Sequence, residues 1–234
     1  MKKMIALSIA LFSLVFVYGQ NTSLKEKRVA LDEKTEVVYI VSGKNQKNGP
    51  IYIKDTKNNN VYMKGVITNN EPSGKWYFSN ENGGLESYYN YDQGKLLFVD
   101  SAYLKKIDVE IGSQDKITKQ NASIPILLYP SVLFLNQLAK NIEIPEEHFG
   151  GAQKLPIKII ANIGTSGLAV YSLVYSFNGK MTQKPINPFK NAFEVKWIPA
   201  RYNDQPLASV FSIDTQLNSA VTTKLGHRRF TWTY

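Results

Sequence analysis

The spacing of hydrophobic positions changes along this chain, and each change of period predicts a different kind of element. Met4 to Tyr18 is an unbroken apolar run behind Lys2 and Lys3. Residues 24–36 mix charges with few apolar positions and read as a lead-in. Val37 to Val41 is short, β-branched and aromatic, which predicts a strand. From Gly43 to Asp100, aromatic and β-branched residues are cut into short segments, with nine Asn between positions 45 and 82. Asn and Gly accept positive backbone angles, so this texture predicts short strands joined by tight turns. Residues 101–123 are polar and weakly patterned, and read as a linker with one strand at Ile107–Ile111 and a domain boundary near 115–123.

The period then lengthens. Leu135, Leu138, Ala139 and Ile142 fall at i, i+3, i+4 and i+7, one face of a helix bounded by Pro130 and Pro145. Glu146 and Glu147 then open a short turn. Leu155, Ile157, Ile159, Ala161 and Ile163 alternate, which predicts a strand with one buried face. Gly164 to Gly167 turns into Leu168–Phe177, apolar on both faces and so expected to be central in a sheet. A Pro- and Asn-rich loop over 178–191 leads to Phe193, Val195 and Trp197, which alternate again. Asn203 and Asp204 supply a turn before the strand Ser209–Thr215. In the tail, residues 219–234, Phe230, Trp232 and Tyr234 alternate with Thr231 and Thr233 behind Lys224, His227, Arg228 and Arg229. The chain thus reads as α+β: N-terminal β-hairpins over 37–100, then a small antiparallel sheet with one main helix over 124–218.

Composition narrows the chemistry. The 234 residues suit one large domain or two small ones, and 43% apolar residues can build a core. With no Cys, disulfide scaffolds, thiol nucleophiles and Cys-based zinc sites are excluded. The two histidines are His148 and His227. The basic head, apolar run and small Gly19 form a secretory signal over residues 1–19, with a retained membrane anchor as the alternative. The formal charge of +9 falls to +7 when Lys2 and Lys3 leave with that signal. The expected location is the periplasm or cell envelope. Export argues against nucleic acid as the partner and leaves anionic envelope components for the basic surface.

The hairpin region repeats itself loosely: Gly49 and Tyr52 are echoed by Gly74 and Tyr77, and Gly65 and Gly94 close the two halves. Residues 47–98, through "NGPIY", "MKGVI" and "PSGKWYFSNENGGLESYYNYDQGKL", resemble the MORN-type repeat family. That resemblance implies stacked hairpins whose aromatic stripes serve packing. Residues 126–217 resemble the TonB C-terminal domain family. The likeness is carried by "YPSVLFLNQLAKNIEIPEE", by "IKIIANIGTSGLAVYSLV" and chiefly by "KWIPARYNDQPLASVFSI". Trp197, Pro199 and Ala200 followed by Asn203 and Pro206 are its most distinctive piece; Asp204 stands where that family usually has Gly. The resemblance implies capture of an extended peptide, such as a segment of an outer-membrane receptor, at a sheet edge. Energy transducers of that family also carry a His-bearing membrane helix and a long Pro-rich spacer. Residues 1–20 hold no His and the ten Pro form no spacer, so force transmission is not expected.

For the contact strand the sequence nominates Val210, Phe211 and Ile213, together with Phe230 and Trp232. The tail strand has two readings: it seals the protein's own sheet edge, or it is itself the contact surface. Catalysis is not expected. Gly164 to Gly167 lacks the nucleophile-elbow pattern, Glu146 and Glu147 are adjacent and diverge, and His148 reads as a surface residue. No metal or cofactor motif is present. The function expected is partner binding by sheet-edge pairing, with a scaffold role in an envelope or secretion assembly as the alternative; oligomeric state stays open.

Overall fold

The structure is a computed structural model that describes residues 24–43, 45–140, 142–186, 195–218 and 229–232. The expected signal at 1–19 and His227 lie outside those residues. Seven strands open the fold: β1 (Lys25–Ala30), β2 (Thr35–Val41), β3 (Lys47–Asp55), β4 (Val61–Thr68), β5 (Glu71–Ser79), β6 (Leu85–Asn90) and β7 (Lys95–Val99). Each pairs antiparallel with the next, giving a seven-stranded meander. The Asn texture makes its turns: Asn45, Asn59, Asn69 and Asn70 all have positive φ. Asn69 and Asn70 form the whole loop between β4 and β5, where Thr68 pairs with Glu71.

Two expectations for this region need correction. The charged lead-in is a strand, because an edge strand bonds on one side only and leaves its charges in water. On β1, Arg28 donates to Glu26 at 2.8 Å and to Glu36 at 3.1 Å. Gly65 closes no half; it lies in the middle of β4, beneath Trp76. A Cβ there would stand 2.3 Å from the indole. Trp76 is 4% exposed, and its Nε1–H points at the carbonyls of Val66 and Ser73, both at 3.1 Å. Gly65→Ala should therefore destabilise the protein by about 1.5 kcal/mol through overpacking. Urea unfolding followed by tryptophan fluorescence will measure it; an unchanged midpoint would refute the close-approach account.

The second half contains α1 (Ser101–Leu104), β8 (Asp108–Ile111), α2 (Lys116–Asn121), β9 (Ile126–Leu127) and α3 (Ser131–Lys140). A 3-10 turn at Glu146–Phe149 precedes β10 (Lys154–Ile163), β11 (Ala169–Phe177) and β12 (Lys180–Ile186). Then come β13 (Trp197–Ile198), β14 (Ala200–Tyr202), β15 (Gln205–Leu207), β16 (Ser209–Asn218) and β17 (Arg229–Trp232). The second sheet runs β12-β11-β10-β16-β17, with β8 also on β16. β13 pairs with β9, and β14 with β15 across Asn203 and Asp204, both at positive φ. The chain is thus mostly antiparallel sheet with few helices.

The segment read as a linker is built into this sheet through β8, which pairs with Ser209–Ser212. Lys180–Ile186, read as loop, is a strand. Asn178 (φ 51°) and Gly179 (φ 72°) form a two-residue hairpin turn between Phe177 and Lys180, a strong turn signal that the later Pro and Asn masked. The helix falls where its period placed it as far as Lys140, and Ile142, the last position of that period, is buried beyond its end. Phe134 on α3 reaches the sheet's inner face, with ring centroids 5.4 Å from Tyr171 and 6.2 Å from Trp197. Leu155, Ile157, Ile159, Ala161 and Ile163 are all buried, as their alternation required. Apolar side chains of both sheets join in one cluster, which runs from Ile53 and Phe78 through Leu133 and Leu138 to Ile159 and Phe211.

Candidate functional site

A sheet can accept a foreign strand only where its outer ladder of N–H and C=O groups is open. The edge of β16, where Val210, Phe211 and Ile213 lie, is not open. On one side β10 pairs along its full length, from Ser209 to Asn218. On the other side β8 covers Ser209–Ser212 and β17 covers Thr215–Asn218. Only Ile213 and Asp214 stand between those two short strands. Phe211 and Ile213 are each 3% exposed and face the core, while Val210 is half-buried. Val210 and Phe211 thus offer no open ladder, which corrects the expectation placed on them. The physical reason is that segments of the same chain reach this edge at an effective concentration no separate partner matches.

The tail strand pairs with the protein's own sheet, Phe230 with Leu217 and Trp232 with Thr215, as the first of its two readings expects. Among the described residues β17 is then itself the end strand of that sheet, which leaves its outer side to the second reading. His148 is half-buried, and the rest of its side chain is engaged. Its Nδ1 lies 2.8 Å from the Tyr175 hydroxyl and its ring stacks on Phe177 at 3.8 Å, so it packs the 3-10 turn onto β11. Trp197, the most distinctive residue of the sequence, is a core side chain 4.9 Å from Phe211 between ring centroids.

The remaining edges differ in how they are guarded. β1 carries four charges in six residues, and β12 carries Lys180, Lys184 and Pro185; charge and proline are the usual means of discouraging strand addition. β8 carries Asp108 and Glu110 in four residues, and β17, the end strand beyond β16, is only four residues long and begins on Arg229. β7 is different. After Lys95 it reads Leu96, Leu97, Phe98 and Val99, and Leu97 and Phe98 are each 39% exposed. Among the described residues only β6 pairs with it. The β6 register shifts between Phe98, opposite Tyr88, and Leu96, opposite Tyr89, so Leu97 is a bulge residue without a partner in β6. Bulges gather at sheet edges and binding sites, where they re-aim side chains. The signal for this edge was the four-residue apolar run after Gly94, which the repeat pattern absorbed as the end of a hairpin.

The open face of the first sheet leads to this edge. One transverse row crosses all seven strands in register: Arg28, Val38, Tyr52, Lys64, Tyr77, Tyr88 and Phe98. Ring centroids are 5.4 Å apart for Tyr77 and Tyr88, and 5.9 Å for Tyr88 and Phe98. Lys64 Nζ lies 4.9 Å from the Tyr77 centroid. At the far end of the row, Arg28, Glu26, Glu36 and Lys54 neutralise one another. Near β7 Lys75 pairs in register with Asn90, and Asn90 with Lys95; neither lysine makes an ion pair among the described residues, and the nearby Asp92 carboxylate accepts from the Gly74 N–H at 2.8 Å.

A polar cleft of about 120 Å³ lies beside the end of β7, lined by Asn80, Glu86, Asp100, Tyr103, Lys106 and Ser131 among others. That is well below the roughly 300 Å³ at which small-molecule pockets begin. Glu86 of β6 accepts hydrogen bonds there from Ser131 at the start of α3, from the hydroxyl at 2.5 Å and from the backbone N–H at 3.2 Å. Burial pushes the Glu86 carboxyl above the usual carboxylate range, opposed by the Ser131 bonds and Lys106 and reinforced by Asp100. Burial likewise raises the Tyr103 phenol. Among the described residues no three His, Asp or Glu side chains are grouped to hold a metal, and no helix is long and apolar enough to cross a membrane.

Comparison with known proteins adds no name to this geometry: no family model, no curated protein and no solved structure matches the chain.

Proposed function

We propose that this protein is an exported, non-catalytic cell-envelope protein that captures an extended protein or peptide segment by strand addition, with the outer edge of β7 as its site. The observation that carries the reading is the contrast between edges. β7 is apolar and open, whereas β1 and β12 are guarded by charge or proline, β16 is covered by its own chain, and β17, the end strand beyond it, is four residues long and begins on Arg229. The TonB-like order of helix, strands and hairpin supports the same class of partner, an outer-membrane receptor segment included. The MORN-like hairpins would then supply the docking sheet. Each main-chain bond nets about 1 kcal/mol, and the bulge at Leu97 limits the ladder to roughly four of them. Such a ladder alone gives about millimolar affinity. Useful capture therefore draws on side chains as well.

The sealed β16 edge favours the second reading, a scaffold component whose TonB-like half is purely a packing module. Tail deletion separates the two. Removing residues 219–234 uncovers Thr215–Asn218 on the β16 edge, while β8 still holds Ser209–Ser212. Capture at β7 should then keep its affinity in the shortened chain, measured by fluorescence anisotropy with labelled peptides from receptor periplasmic segments. Leu97→Pro should abolish it, because proline is tolerated at an edge bulge yet blocks an incoming ladder. Binding that survives Leu97→Pro would overturn the assignment to β7. Absence of peptide binding alongside a fixed stoichiometric complex in envelope extracts would favour the scaffold.

A further inference from the structure

The aromatic row on the open face stops at the edge just assigned. Tyr77 has Lys64 on one side and Tyr88 on the other, and Tyr88 lies between Tyr77 and Phe98. Phe98 is the exception. Its ring contact among the described residues is with Tyr88 alone, and 39% of the residue is exposed. Cross-strand neighbours are what stabilise side chains on a sheet face, so a row that ends on a half-covered ring has its next position in the next strand. The adjacent row ends in the same way with opposite chemistry. Lys75, Asn90 and Lys95 stand in register, both lysines are exposed, and neither has a carboxylate within ion-pair distance among the described residues.

We infer that the segment captured at β7 is an extended peptide carrying an aromatic residue opposite Phe98 and an acidic residue opposite Lys95, two positions apart on one face. The inference rests on the edge-capture reading above. The spacing follows from β6, which covers the same distance in two residues, from Tyr88 to Asn90, while bulged β7 takes three, from Phe98 to Lys95. An unbulged incoming strand matches β6, so its aromatic and acidic residues have one residue between them and share a face. The ring extends the Tyr77, Tyr88 and Phe98 row, and the carboxylate answers lysines that make no ion pair among the described residues. A neutral, all-aliphatic strand could pair with the main chain but would leave both rows unfinished.

The probes are labelled heptapeptides of alternating Thr and Val in which one face carries Phe-x-Glu, Glu-x-Phe or Ala-x-Gln, titrated by anisotropy against the full chain. One of the two Phe/Glu orders should bind about tenfold tighter than the Ala/Gln control, the winning order reporting strand direction. Phe98→Ser should remove the aromatic share of that gain and leave the control's affinity unchanged; Phe98→Leu serves if the Ser variant loses its circular dichroism signature. Lys95→Gln should remove the acidic share, and added salt should mimic it. Equal affinities for all three peptides, with Leu97→Pro still abolishing binding, would overturn this inference and leave edge capture standing. Binding of any peptide unaffected by Leu97→Pro, or no binding at all, would overturn the edge reading itself. Sedimentation showing a dimer that Leu97→Pro dissolves would assign the edge to a second copy of this chain and overturn the inference.

Discussion

Trp197→Ala is expected to destabilise the protein by about 4 kcal/mol, the largest effect of any single substitution considered. The indole is 4% exposed and lies among three aromatic rings, with centroids 4.9 Å from Phe211 on β16 and 6.2 Å from Phe134 on α3. Its Nε1–H donates to the Tyr171 hydroxyl at 2.8 Å, and that phenol is itself 5% exposed. Truncation removes the ring's burial, leaves a void between helix and sheet, and takes a hydrogen bond from a buried group. Trp197→Phe separates these contributions: it retains most of the packing and should cost about half as much. Urea unfolding monitored by far-UV circular dichroism measures both. A loss below about 1 kcal/mol for the alanine variant would mean that the ring does not join α3 to β16. Peptide capture at β7 should persist in the folded fraction of either variant, since Trp197 lies on β13, outside the seven-stranded sheet that carries β7.

The distinctiveness of Trp197 in the sequence thus reflects its work in the core, and the same distinction explains what else could be read in advance. Burial leaves a periodic trace. Leu155 to Ile163 and Leu135 to Ile142 were legible because every second, or every third and fourth, residue must meet other apolar groups. Turn chemistry was legible where nothing competed with it, as at Asn203 and Asp204, and was missed at Asn178 and Gly179, where the following Pro and Asn suggested a longer loop. Pairing is another matter. Whether an edge is open depends on which distant segment lies beside it, and the periodicity of Ser209–Thr215 says nothing of β8, which precedes it by about a hundred residues, or of β17 behind it. The edge of β16 was therefore nominated on family resemblance and proved occupied. The edge of β7 carried its signal in plain composition, but only the register exposed Phe98 as the end of a row and Leu97 as a bulge. Likewise, no spacing in the chain joins Glu86 to Ser131, which are 45 residues apart.

That contact supports the second large prediction. Glu86 projects from β6 in the first sheet and accepts two hydrogen bonds from Ser131, the first residue of α3 in the second half. A helix start leaves its N–H groups without intrahelical partners, and a carboxylate is well suited to receive one. Here the carboxylate comes from the other sheet, so the same group that caps the helix ties the two halves together. Glu86→Ala should cost about 2.5 kcal/mol at neutral pH by leaving the Ser131 donors unmatched. Glu86→Gln should cost less, because the amide oxygen can still accept, and it isolates the charge. Burial, the largest influence on this group, raises its pKa in the folded protein above that of the unfolded chain, and Asp100 adds to the shift against the Ser131 bonds and Lys106. A group raised in this way contributes stability that is complete below its unfolded pKa and is lost as pH rises through its folded pKa. Wild type should therefore lose stability relative to Glu86→Gln as pH rises from about 4 towards 7, because the ordinary glutamate value of about 4.3 sets the lower end of that window. Paired urea midpoints of the two proteins at several pH values cancel the other carboxylates, which titrate alike in both. A difference that is flat, or that moves in favour of wild type with rising pH, would mean that the Ser131 hydrogen bonds outweigh burial and that the charged form is the one this junction prefers.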